Sequence, residues 1–142
     1  PNSDSGSYEM IKVIEEYTER FSFIKAFKTL PRDIFVNLQR KAALLLGNSS
    51  SGILEAPFLK LPVVNVGNRQ KQRQHSENII FVPHNKELII KGINKAINDE
   101  DFKLICKNCS NPYGNGYSGE RIAKIIAETK INDELINKQI VY

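Results

Sequence analysis

The sequence predicts an α/β fold, a parallel sheet with helices on both faces, and three observations predict it. Short apolar runs at 43–46, 61–66 and 79–82 alternate with longer segments whose apolar residues recur at helical spacing. The runs are almost uniformly apolar rather than alternating, as strands buried on both faces require. The run at 43–46 passes directly into Gly47-Asn48-Ser49-Ser50-Ser51-Gly52, after which the pattern turns helical through Ile53-Leu54-Glu55-Ala56-Pro57. That is a strand–loop–helix unit, and ligands in such sheets bind at the carboxyl ends of the strands.

Each element has its own justification. From Tyr8 to Arg20, Met10, Ile11, Val13, Ile14 and Tyr17 fall at helical spacing with acidic residues opposite. Ser5 or Ser7 is the candidate cap, with Glu9 in the first turn. Phe21 to Ala26 reads as a strand. Pro31 opens a second helix at its first position, with Ile34, Phe35 and Leu38 as the buried stripe. The strand 43–46, the serine loop and its helix follow. Leu61 to Val66 is a valine-rich strand, Gly67 to Asn78 a polar, charged loop, and Ile79 to Val82 a further strand. Asn85 caps a helix bearing Leu88, Ile89, Ile90, Ile93 and Ile97, and Asp99 caps a shorter one reaching about Cys106. Pro112, Gly114 and Gly116 mark a loop. Ser118 is expected to cap a last long helix bearing Ile122, Ile125 and Ile126, and a short helix from Asp133 precedes a frayed tail.

The 142 residues suit one domain or one lobe of a larger enzyme, and 41% hydrophobic with 25% charged residues suits a soluble globular chain. No window approaches the roughly 18 continuous apolar residues of a membrane span. No signal peptide is visible, and Cys106 and Cys109 make no disulfide framework, so a cytoplasmic protein is expected. A net charge of +4 suits anionic ligands. The basic residues are scattered, with no block interleaved with aromatics, which argues against nucleic acid as a partner. Pro1-Asn2-Ser3-Asp4-Ser5-Gly6 reads as a loop that should follow a strand, and none precedes it. The sequence therefore reads as the later part of a longer protein.

The candidate chemistry is anion binding. The first N–H groups of a helix lack partners within it, and the dipole there favours negative charge. Three serines between glycines exceed what capping requires, so Ser49, Ser50 and Ser51 are candidate donors to a diphosphate, against the plainer reading of a polar capping turn. The spacing matches neither a Walker-type phosphate loop nor Gly-x-Gly-x2-Gly, and no Gly-x-Ser-x-Gly elbow marks a nucleophile. Glu55 is either a ribose-diol acceptor or solvated surface. Arg69 is a candidate phosphate partner, with Lys71 and Arg73 as secondary charges, in what is otherwise an ordinary basic loop. Asn2 and Asp4 either make a turn or face the ligand edge. His75 and His84 lack ligand-like spacing, and one Cys-x2-Cys without a second ligand pair is no zinc site, so no metal is expected.

These blocks resemble the carboxyl-terminal part of the hydrolysing UDP-N-acetylglucosamine 2-epimerases. The likeness rests on 1–7, on Gly47 to Pro57, on Leu61 to Gln70 with Arg73, Glu77 and Asn78, and on Asn111-Pro112-Tyr113-Gly114-Asn115-Gly116 with Arg121, in family order and spacing. The Gly-Asn-Ser-Ser-Ser-Gly loop is the form of the hydrolysing branch. The resemblance implies the second, Rossmann-like lobe of a two-lobed glycosyltransferase-B-type fold, with the first lobe and the first strands of this lobe absent. It implies that Asn2, Ser49, Ser50, Glu55 and Arg69 hold UDP or UDP-N-acetylglucosamine. The implied reaction releases UDP and N-acetylmannosamine, opening sialic-acid synthesis, with no cofactor. The proton-moving groups would lie mainly on the missing lobe, so no catalytic residue is assigned here and the fragment alone is expected to be inactive. Full-length members would associate as dimers or tetramers. Thr29-Leu30 stands where relatives often carry a histidine before the proline, and Asn68 where threonine is usual. A nucleotide-sugar glycosyltransferase lobe and a non-catalytic nucleotide-binding module are the competing readings.

Overall fold

The structure is a computed structural model that describes residues 6–137. The chain divides into two compact units between Leu38 and Gln39.

The first unit holds helix α1 (Ser7–Arg20) and the start of α2 (Arg32–Lys41). Ser7 does not cap α1: Gly6 occupies the N-cap position at φ 86°, with no side-chain cap, while Ser5 lies outside the described residues. The expected strand at 21–26 does not form. A strand exists only through pairing with a neighbour, and here the aromatics close on the helix end instead. The Phe21 ring lies 5.6 Å from that of Tyr17 and 5.5 Å from that of Phe23, with the Arg20 guanidinium 5.1 Å from the Phe21 ring centre. The expected stripe on α2 is also not buried. Ile34 and Leu38 are exposed and Phe35 is half-buried, and the buried residue of that helix is Gln39.

The second unit is an α/β fold of Rossmann-like kind. Strands β1 (Leu45–Gly47), β2 (Val63–Val66) and β3 (Ile79–Val82) form a parallel sheet in the order β1-β2-β3. Leu45 pairs with Val63, and Val63 with Ile79. β1 and β2 begin later than their apolar runs because Pro62 has no N–H to give to a ladder; its carbonyl still accepts from Leu45 N at 2.9 Å.

Alternate strand residues bury opposite faces. Val64 and Val82 pack with Ala96, Phe102 and Cys106 under helices α4 (Lys86–Asn98) and α5 (Glu100–Asn108). Val63 packs with Ala56 and Leu61, joined by Leu45, Leu59 and Ile79, beneath helix α3 (Ser51–Leu54) and the turns that follow it. Both faces of the sheet are thus covered, as the sequence predicted.

Asn85 and Asp99 cap as expected, their side-chain oxygens accepting from Leu88 N and Phe102 N at 2.9 Å each. Replacing Asn85 with Ala is expected to lower the unfolding free energy by about 1 kcal/mol, read as a shifted urea midpoint. Helix α6 (Ser118–Glu128) departs from expectation. Tyr117 holds its N-cap position without a side-chain cap, and Ser118 is the first helical residue. A single turn, α7 (Asp133–Ile136), is capped by Asn132; the tail beyond lies outside the described residues.

Candidate functional site

Parallel pairing puts the loops after β1, β2 and β3 at one edge of the sheet. The serine loop and the Gly67 loop are therefore neighbours, and a buried side chain ties them. Gln70 is 3% exposed, and its Nε2 donates to the Asn48 carbonyl at 3.0 Å.

Within the serine loop, the Ser49 hydroxyl oxygen accepts from Ser51 N at 3.2 Å, which leaves its own proton to donate. Ser50 is the N-cap residue of α3, and its carbonyl accepts from Ile53 N at 3.0 Å and Leu54 N at 2.9 Å. Both side chains are exposed, and among the described residues no backbone hydrogen bond uses the N–H of Ser49 or Ser50. Ser51 is buried, and its hydroxyl donates to Glu55 Oε2 at 2.9 Å rather than facing solvent.

The helix after the loop stops before the end of the 53–57 stretch that reads as helical. α3 ends at Leu54, and Glu55 is its C-cap rather than a residue within the helix. Pro57 is the reason: it offers no N–H to the Ile53 carbonyl and its ring crowds that position. A Schellman turn then reverses the chain, with Leu61 N bonded to Ala56 O at 3.0 Å, Lys60 N to Pro57 O at 3.2 Å, and Lys60 at φ 57°. One helical turn supplies little macrodipole, so attraction for an anion here rests on local N–H groups, hydroxyls and side-chain charge.

Glu55 is positioned from two sides. Besides the Ser51 hydroxyl, its Oε2 accepts from Gln39 Nε2 at 3.1 Å, and Gln39 is 4% exposed. Sequence reasoning missed both buried glutamines, because an uncharged amide among charged neighbours carries no pattern. Their unused oxygens, Gln39 Oε1 and Gln70 Oε1, are buried without a partner among the described residues, an arrangement that costs about 1–3 kcal/mol each.

Beyond β2, Gly67 turns at φ 82°, and its N–H bonds to Val82 O at 2.8 Å. A Cβ there would lie 2.5 Å from Cε1 of His84, which comes from the loop after β3. Three cations follow within seven residues, Arg69, Lys71 and Arg73, all with exposed side chains. Topology thus brings His84 to this edge, while the His75 ring packs edge-on against Phe81, 4.9 Å away. The 109–117 loop braces the region. Asn111 Nδ2 donates to Leu54 O at 3.0 Å, and the Tyr113 hydroxyl donates to Gln74 O at 2.9 Å. Arg121 Nη1 donates to Asn115 Oδ1 at 2.9 Å.

The structure therefore places Ser49 and Ser50 in the loop after β1, Ser51 and Glu55 in α3 and at its end, and Arg69 and Arg73 in the neighbouring loop after β2; Asn2 and Asp4 lie outside the described residues. Among the described residues, no group of three or more His, Cys, Asp or Glu is placed to hold a metal. No helix there is long and apolar enough to cross a membrane.

The two cysteines belong to the core. Cys106 is 1% exposed, and burial, reinforced by neighbouring Cys109, pushes its thiol up to about 11. Folding favours the protonated thiol, so this contribution to stability is complete below the ordinary thiol value of 9.0 and is lost as pH rises towards 11. At about pH 8 the native protein is expected to leave Cys106 unreactive towards iodoacetamide until urea unfolds it, as mass spectrometry would read.

Residues 1–127 match the UDP-N-acetylglucosamine 2-epimerase family. The chain is 36% identical over all 142 residues to a UDP-N,N'-diacetylbacillosamine 2-epimerase (hydrolyzing) of Legionella pneumophila, covering 36% of that protein. It is 34% identical over 112 residues to polysialic acid biosynthesis protein P7 of Escherichia coli, which is 79% of this chain and 28% of that one. To a UDP-N-acetylglucosamine 2-epimerase of Neisseria meningitidis serogroup B it is 31% identical over 126 residues, 89% of this chain and 32% of the relative. The chain thus spans about a third of the length of these curated relatives. With the match running almost end to end, and with a parallel sheet that carries the serine and arginine loops on one edge, the chain belongs to the UDP-N-acetylglucosamine 2-epimerase family.

Proposed function

We propose that this chain is the nucleotide-binding part of a hydrolysing UDP-N-acetylglucosamine 2-epimerase. The observation that carries the proposal is the junction of the serine loop and the Arg69 loop at the carboxyl edge of β1 and β2, in a chain of this family. Ser49 and Ser50 offer hydroxyls and N–H groups to the diphosphate, and the Arg69 guanidinium offers charge and a planar fork. Glu55, held by Gln39 and Ser51, faces the ribose diol. The family resemblance extends the proposal to Asn2, with Asp4, Ser51 and Arg73 as secondary members.

In the whole enzyme the hydrogen at carbon 2 leaves as a proton and the bond from carbon 1 to the diphosphate oxygen breaks, giving UDP and a glucal. Water then adds across the double bond, hydroxyl at carbon 1 and hydrogen at carbon 2 with inverted configuration, giving N-acetylmannosamine. The charge that grows on the departing diphosphate is what this chain's donors stabilise. The base and acid belong to a first lobe, so this part alone is inactive. The full-length protein acts in the cytoplasm as a dimer or tetramer.

The first relative's name favours a second reading of the substrate, a UDP-linked diacetamido sugar. Incubation of full-length protein with either UDP-sugar, without an acceptor, tests both readings by NMR. Free N-acetylmannosamine with UDP supports the first; release from the diacetamido substrate alone supports the second. An enzyme that releases no sugar without an acceptor would be a transferase.

A further inference from the structure

We infer that Gln70 is a positioning residue that aims the Ser49 N–H at the bound diphosphate; the inference rests on the functional reading above. The serine loop has little regular structure to hold it. A three-residue strand precedes it and a four-residue helix follows. Its entry is held instead by Gln70, whose Nε2 bonds the Asn48 carbonyl across 22 residues of sequence.

The orientation of that amide is fixed by chemistry, since only its NH2 end can give a hydrogen to a carbonyl. The consequence runs through one peptide bond. The Asn48 C=O and the Ser49 N–H belong to the same planar trans unit and point in opposite directions. Gln70 is 3% exposed, so the carbonyl it holds faces the protein. The Ser49 N–H therefore points away from Gln70, and Ser49 and Ser50 are themselves exposed. Among the described residues no backbone hydrogen bond uses it.

The buried Oε1 of Gln70 has no partner among the described residues. An apolar side chain of similar size would fill the space without that penalty. What Gln70 contributes that such a residue cannot is the single donated hydrogen, and its recipient is the peptide unit that presents Ser49.

The test uses Gln70→Met, which keeps length and volume and removes the donor. UDP and uridine are titrated calorimetrically into the full chain, and unfolding midpoints are recorded without ligand. The variant is expected to bind UDP about five- to tenfold more weakly, the scale of one misaligned hydrogen bond to a charged acceptor, with uridine affinity held within about twofold. In nitrogen–proton correlation spectra the Ser49 amide proton should move downfield when UDP binds the wild type, and this shift should shrink in the variant. Equal UDP affinity with an unchanged Ser49 shift overturns the inference alone. So does a parallel loss of UDP and uridine binding with a lowered midpoint, which would mark plain packing. A wild type that does not bind UDP overturns the functional reading and this inference with it. Should Gln70→Met fail to fold, the wild-type spectrum decides: no downfield shift of Ser49 with UDP overturns the assignment.

Discussion

Gly52→Val is expected to destabilise the second unit by about 2–3 kcal/mol and to weaken UDP binding by more than about tenfold where the protein remains folded. Gly52 lies in α3, where a Cβ would stand 2.9 Å from Val63 Cγ1 and 3.6 Å from Leu45 Cδ2. The Leu45 contact is an ordinary one, but the stiff, β-branched Val63 side chain cannot give way. Val63 is 2% exposed in the central strand, paired on both sides and packed with Ala56 and Leu61. The strain must be relieved by lifting α3 off the sheet, and α3 carries Ser50 and Ser51 with it. That movement also pulls on the Gln70–Asn48 bond, so stability and ligand affinity fall together. Urea unfolding and UDP calorimetry on Gly52→Ala and Gly52→Val read the two effects. A valine variant with wild-type midpoint and affinity would show that the loop does not depend on this close approach.

Arg69→Ala is expected to raise the UDP dissociation constant by about 10- to 100-fold, since a hydrogen bond to a charged partner contributes about 1.5–3 kcal/mol. Arg69 precedes the buried Gln70, so its backbone is anchored, and its side chain is exposed. The loss should be concentrated on the diphosphate: uridine should bind the variant nearly as well as the wild type. Arg69→Lys should recover only part of the affinity, because an ammonium keeps the charge and loses the planar fork. Screening by added salt should weaken wild-type UDP binding more steeply than that of the alanine variant. An alanine variant with unchanged UDP affinity would remove Arg69 from the site.

Much of the architecture was legible in local pattern. The runs at 61–66 and 79–82 announced strands because burial on both faces leaves valine and isoleucine nearly uninterrupted. Asn85 and Asp99 announced helix starts because their side chains bond N–H groups three residues on, within the span a sequence window sees. The serine loop and Arg69 were legible as candidates, and parallel pairing placed them at one edge. Residues 21–26 read as a strand and form none, because apolar composition cannot tell a paired strand from aromatics that stack on a helix end. Apolar spacing makes 53–57 read as helical, whereas the missing N–H of Pro57 ends the helix at Leu54.

By itself the sequence determined the α/β alternation, the sites of its loops, and the types of donor an anion would meet. Those follow from burial period, turn chemistry and charge, all properties of neighbouring residues. Only the tertiary structure decided which carbonyl Gln70 holds, that Gln39 and Ser51 share Glu55, and that His84 stands against Gly67. Each of these joins residues between 4 and 22 positions apart through one buried amide, hydroxyl or close approach. The hydrogen bonds among them arise from the need of polar groups removed from water for a partner, wherever in the chain the fold provides one.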